Sequence, residues 1–172
     1  AEDWVVYHSS LGNTKTLNLN TTDSEVTDAA FNDTTPTSSV FTLSNCASGS
    51  CINSNSGTYI SYCFASISGF SKIGSYTGDG SAGQTITLGF ELSWILIKST
   101  VGTANWVLYD TARGIMNGYF EPNNTDVERT TNAPNMTITS TGFEITSGGV
   151  TEGLNSNGNL YIYAAFKENP AQ

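Results

Sequence analysis

The chain has 172 residues, enough for one domain or two small ones and for a real core. Charged residues make up only 12% and the formal net charge is −9, so a phosphate backbone or an anionic membrane would be repelled. The longest apolar runs, such as Trp94–Ile97, are too short to insert across a bilayer.

Ser, Thr, Asn and Gly take the place of charges, which favours turns and strands over long helices. No segment carries a 3.6-residue apolar period. Short β-like runs predict strands at Trp4–His8, Thr16–Leu19, Val40–Leu43, Thr58–Ala65, Ser71–Tyr76, Thr85–Phe90 and Trp94–Lys98. Further runs follow at Trp106–Asp110, Gly118–Phe120, Met136–Thr139, Phe143–Thr146 and Leu160–Phe166. Turn formers such as Leu11-Gly12-Asn13 and Asn157-Gly158-Asn159 separate them. The expected fold is all-β: an antiparallel β-sandwich, jelly-roll-like or lectin-like.

An internal repeat of about 100 residues is the most informative pattern. Trp4-Val5-Val6-Tyr7 recurs as Trp106-Val107-Leu108-Tyr109, and Phe41-Thr42-Leu43 as Phe143-Glu144-Ile145. Asn53-Ser54-Asn55 recurs as Asn155-Ser156-Asn157, and Tyr59-Ile60 with Phe64 as Tyr161-Ile162 with Phe166. All these pairs share the offset 102 that separates Trp4 from Trp106; Asn20–Asp23 and Asn123–Asp126 match at 103. The implied units are residues 1–69, lacking early strands, and 70–172, complete. Either the chain is part of a longer protein that supplies those strands, the preferred expectation, or 70–103 serves both halves of one fused sandwich.

Little in the sequence points to chemistry. His8 is the one histidine, so neither a zinc site nor a Ser-His-Asp triad has a second component, and no metal or cofactor is expected. Asp79, Glu91, Asp110, Glu121, Asp126 and Glu144 are carboxylates from which a glycosidase pair could be drawn, but they are scattered, and solvated strand faces account for them. Thr77–Ser81 reads as a tight turn, since it lacks the alternating oxygen ligands of a calcium loop. Cys46 and Cys51 bracket a short polar loop and read either as a loop disulfide or as free thiols, whereas Cys63 reads as a small core residue. The tryptophans chiefly read as core. Tyr76, Trp106 and Tyr119 are the aromatics to test as glycan contacts, with the loops 78–84 and 114–124 around them.

Trp4–Gly12, Phe70–Gly80, Gly89–Lys98, Trp106–Gly114, Gly142–Ile145 and Tyr161–Pro170, in this order, resemble a β-domain common in virion proteins of marine tailed phages, especially cyanophages. The resemblance implies a sandwich or lectin-like fold, often repeated, in a tail fibre, baseplate or capsid-surface decoration. It carries over no catalytic residue. The expected function is therefore a non-enzymatic virion structural module. Its expected location is the particle surface, and its expected partners are other virion proteins, further copies of itself (a trimer is common in phage fibres) and a host cell-surface glycan. The alternatives are a secreted bacterial glycan-binding adhesin and a tailspike-type polysaccharide-degrading enzyme.

Overall fold

A computed structural model describes residues 3–46, 50–113, 118–130, 136–146 and 153–168. Its ten strands are β1 (Val5–Val6), β2 (Lys15–Asn18), β3 (Val26–Thr27), β4 (Ser71–Thr77), β5 (Gln84–Thr87), β6 (Trp94–Ser99), β7 (Trp106–Asp110), β8 (Met136–Thr139), β9 (Gly142–Ile145) and β10 (Leu160–Phe166). All paired strands are antiparallel, and no helix occurs among the described residues. They form three sheets, in the orders β1-β2-β3, β4-β10-β6-β7 and β5-β9-β8.

Alternation along the strands sets the layers. On β10, Tyr161, Tyr163 and Ala165 point one way, level with Ile95 and Ile97 of β6 and Val107 and Tyr109 of β7. This face meets Ile86, Met136, Phe143 and Ile145 of the three-stranded sheet in one continuous hydrophobic cluster, as in a β-sandwich. The outer side of that smaller sheet carries Thr85, Glu144 and Thr137 in register. Gly74 lies opposite Tyr163, and a Cβ there would stand 2.6 Å from the Tyr163 hydroxyl oxygen; the missing side chain makes room for the ring.

The other face of the four-stranded sheet is covered by the chain's own N-terminal part. Leu17, with Val6, Leu11 and Leu19, packs on Trp106, Ile162 and Leu96. Polar ties fix the contact. The Trp106 indole N–H donates to the Asn18 carbonyl (2.9 Å), Glu25 N–H to Thr100 O (3.0 Å) and Ala104 N–H to Thr22 O (3.0 Å). Lys98 is fully buried in this layer and donates from Nζ to the carbonyls of Ser99 (3.0 Å) and Thr22 (3.4 Å). Burial pulls its pKa down to about 8, against the opposing pull of Asp23.

Most of the expected strands form. Several departures matter. Val26–Thr27 pairs with β2 although the sequence gives no strand signal there. Val40–Leu43 and Thr58–Ala65 form no strand, because no neighbouring strand pairs with them. Cys63, expected in the core, is exposed for the same reason. Gly118–Phe120 contributes only the isolated bridges Leu108↔Phe120 and Tyr119↔Arg129.

Candidate binding surface

The aromatics expected to touch glycan lie inside. Tyr76, Trp106 and Tyr119 are 8%, 4% and 1% exposed. Tyr76 stacks on Tyr161 with ring centroids 5.0 Å apart, and its hydroxyl donates to the Leu154 carbonyl. Tyr119 packs against Tyr109 at 5.5 Å. None offers a ring face to a ligand at the surface. Of the two loops expected to carry such a site, 78–84 is tied down through Asp79 and Asn155, and residues 114–117 lie outside the described residues. Asp79 Oδ1 accepts from Ser81 N–H and Asn155 Nδ2, which makes Thr77–Ser81 a pinned turn.

Three of the six candidate carboxylates, Asp110, Glu121 and Asp126, are paired with arginines. Asp110 takes the Arg113 guanidinium, which holds its carboxyl below the ordinary range. Glu121 is buried. Burial works to raise its carboxyl, but hydrogen bonds from Asn124 and Arg129 outweigh that and hold it low. Arg129 also bridges to Asp126 at 3.0 Å. A general acid for glycoside cleavage needs a raised pKa, the opposite of what Asp110 and Glu121 have. Among the described residues, no group of three or more His, Cys, Asp and Glu is placed to hold a metal ion.

His8 is buried and fixed in one tautomer. Ser10 N–H donates to Nδ1 (3.1 Å), so Nε2 carries the proton toward the Tyr163 carbonyl (3.4 Å). Burial holds its imidazole below the ordinary pKa. It is a neutral wedge between the N-terminal layer and β10. Asp28 is a second anchor: its carboxylate accepts from Ala30 N–H, Thr16 Oγ1 and both the N–H and hydroxyl of Ser50. Burial works to raise it, and these bonds together hold it low. Next to Ser50, Cys46 and Cys51 form a disulfide, which resolves the two readings of that loop.

What remains at the surface is a band of apolar side chains. Ile60, Tyr62 and Phe64 are 65%, 66% and 64% exposed, and Tyr59, Ile67 and Trp4 add to them. Trp4 and Tyr62 stack at 6.3 Å, and Phe64 meets Phe166 edge-on at 5.7 Å. No backbone–backbone hydrogen bond to residues 58–66 occurs among the described residues. Instead, side chains tether the end of the segment: Ser71 Oγ donates to Ala65 O (2.8 Å), and Ile73 N–H to Ser66 Oγ (3.0 Å). Between this segment and β1 runs a groove of about 250 Å³, lined by Tyr7, His8 and Ser9 on one side and Phe64, Ala65 and Ser66 on the other, with Ile73. Residues 7–9 continue from β1, an edge strand of its sheet; the His8 and Ser9 carbonyls accept from Leu11 and Gly12 N–H within their own turn, and no backbone bond crosses the groove. The sequence marked 58–65 as a strand; nothing in the run itself shows that no strand pairs with it.

A family model described as "Domain of unknown function (DUF7483)" matches residues 1–170. No curated protein and no solved structure matches the chain.

Proposed function

Since the chain belongs to this family of unknown function, we propose from its own geometry that it is a non-enzymatic structural module that assembles with other protein subunits, on the surface of a virion of the tailed-phage kind that its sequence resembles. The observation that carries this reading is the apolar, backbone-unpaired band over residues 58–66. Contiguous apolar surface beside open strand edges is buried by protein contact in working assemblies and invites aggregation elsewhere. The pairing of Asp110, Glu121 and Asp126 with arginines supports the non-enzymatic part. The Cys46–Cys51 disulfide suits an oxidising exterior.

The module is built from two copies of one unit. Several contacts support this by recurring at the sequence offset. Trp4 N–H donates to Asn20 Oδ1 (2.9 Å) as Trp106 N–H does to Asn123 Oδ1 (2.8 Å). Ser54 N–H donates to the Tyr59 hydroxyl (2.9 Å) as Ser156 N–H does to that of Tyr161 (3.0 Å). The pairings Val6↔Leu17 and Thr16↔Val26 return as Leu108↔Phe120 and Tyr119↔Arg129. Within residues 71–166 the first strand, β4, pairs with the last, β10, and the second, β5, with the last but one, β9, as a jelly roll requires. Homo-oligomerisation, a trimer among the options, is the symmetric form that such assemblies usually take.

The test is immunogold labelling of intact particles with an antibody to this chain. Gold on tail or head supports the reading and places the module. Particles that stay unlabelled, while the antibody detects the protein in the same culture free of particles, overturn it in favour of a secreted adhesin.

A further inference from the structure

We infer that the groove between β1 and residues 58–66 is an acceptor slot for one β-strand of another polypeptide segment, apolar on both faces as β6 is. The inference rests on the two-copy reading above, because the second copy displays the same groove with its strand in place.

At offset 102, Ser9, Ala65 and Ser66 become Thr111, Lys167 and Glu168. Those three residues line a cavity of about 340 Å³, and its remaining lining is Glu91, Leu92 and Ser93, the run-in to β6. There the rims are paired. Ser93 N–H donates to the Phe166 carbonyl (2.9 Å), and Thr111 N–H donates to the Ser93 carbonyl (2.9 Å). β6 then continues between β10 and β7, with Trp94 opposite both Phe166 and Asp110, and Lys98 opposite both Ile162 and Trp106. In the first copy the same rims are Phe64 and Ser9, and no backbone bond joins them to anything between. The counterpart side chains differ accordingly: Ile162, beside β6 and under the N-terminal layer, is 1% exposed, and Ile60, with neither strand nor layer against it, is 65% exposed.

The second copy also dictates the chemistry of the occupant. It must lie antiparallel to both rims, its first residue beside His8 and Phe64 and its fifth beside Trp4 and Ile60. It must offer apolar side chains alternately to both sides, since a strand covered on both faces reads as a continuous apolar run, as Trp94-Ile95-Leu96-Ile97 does. An aromatic at its first position would meet Phe64 as Trp94 meets Phe166, edge-on at 5.4 Å. Main-chain bonds to two open edges supply affinity, and the alternating side chains supply register, which is recognition by strand addition. Trp4 and Tyr62, stacked on each other across the open groove, part to admit the strand.

The probe is a peptide of residues Glu91–Ser99 carrying a solubilising tag, added to the full chain and followed by amide hydrogen exchange. At about 100 times its dissociation constant, the peptide slows exchange of the Tyr59–Phe64 amides by about 100-fold. The same peptide with Ile97→Pro, which loses an N–H and cannot lie between two strands, does not. A Phe64→Asp chain, altered at an exposed residue, keeps its fold by circular dichroism and loses the protection. The inference is overturned if exchange over 58–66 is unchanged by the peptide, or if the proline peptide protects equally. It is also overturned if the chain alone protects this segment by self-association in sedimentation, since a second copy then fills the slot. Gold on particles with no peptide effect removes the slot and leaves the assembly reading; peptide protection without gold does the reverse.

Discussion

Lys98 offers the sharpest energetic test of the fold. An ammonium group sits fully buried between β6 and the N-terminal layer, with two carbonyls as acceptors. The drop in its pKa from 10.5 to about 8 corresponds to about 3 kcal/mol of stability withheld while the group is charged in both states. The sign follows from proton counts. Between pH 8 and 10.5 the unfolded chain holds a proton that the folded chain has lost, so stability rises with pH by about 1.4 kcal/mol per unit. Below pH 8 both states are protonated and the slope vanishes. Tyr76 and Tyr163, which burial holds above their ordinary pKa of 10.0, work the other way once unfolded tyrosine ionises, so the usable window is pH 8 to 10. Lys98→Met removes the slope. At pH 7 it relieves the withheld energy and forfeits two hydrogen bonds worth about 1 kcal/mol each, for a net gain of about 1 kcal/mol. The Thr22 carbonyl is not orphaned, since Ala104 N–H still donates to it. Urea unfolding at a series of pH values, read by tryptophan fluorescence, measures both quantities. A parent protein with flat stability from pH 8 to 10, or a Lys98→Met protein less stable than its parent at pH 7, would refute the reasoning.

Three further outcomes follow from the packing. Phe143→Ala empties a fully buried site between Tyr76 and Tyr163 and costs about 3–5 kcal/mol in chemical denaturation, more than any substitution on the outer face of the same sheet, such as Thr85→Ala. Asp28→Asn removes the charge that Ser50, Ala30 and Thr16 hold, lowering stability at pH 7 by about 1–3 kcal/mol. Because the folded Asp28 pKa is depressed, its contribution is complete above the unfolded value of 3.8 and fades as pH falls through the folded one; the variant therefore loses less than the parent in an acid titration followed by circular dichroism. Replacing Cys46 and Cys51 by serine opens a five-residue separation and lowers stability by about 2 kcal/mol on loop-closure grounds, read as a drop in Tm.

Strand identity was legible wherever a run of alternating residues also found partners. β4, β6, β7 and β10 follow their sequence patterns because each is flanked and one face is covered. Thr58–Ala65 carries as clear a strand pattern as β10, and forms none, because strand formation is a property of the pair and not of the run. Val26–Thr27 is the converse: two residues with no pattern pair because β2 presents an edge to them. The burial of the candidate glycan aromatics was hidden for a similar reason, since a tyrosine in a strand reads alike whether its face is wet or covered, and only Phe143 and Tyr161 against Tyr76 decide it. Arg113 beside Asp110 lies three positions away, within reach of a local reading, whereas Arg129 reaches Glu121 through a bridge that no spacing rule announces.

Contacts run across the boundary expected at residues 69 and 70, because the N-terminal layer lies on the four-stranded sheet. The four-stranded sheet presents Leu96, Lys98, Trp106 and Ile162 on the face that the N-terminal layer covers, and Trp106 and Ile162 are both buried. Removing residues 1–69 would uncover them together with a buried ammonium group and a tryptophan N–H that now donates to Asn18. Each fully buried side chain of this size contributes about 1.5–3 kcal/mol, so two of them re-exposed cost about 3–6 kcal/mol, a large part of the stability of an ordinary domain. Lys98 moves in the opposite sense, since renewed hydration restores its ordinary pKa; that relief of about 3 kcal/mol matches only the lower end of the apolar loss, and the Trp106 and Lys98 hydrogen bonds to the N-terminal layer are lost besides. Residues 70–172 expressed alone should therefore bind a hydrophobic dye, associate in sedimentation and melt at a lower temperature than the full chain. A monomeric fragment with an unchanged Tm and no dye binding would mean that the N-terminal layer rests on the sheet without stabilising it.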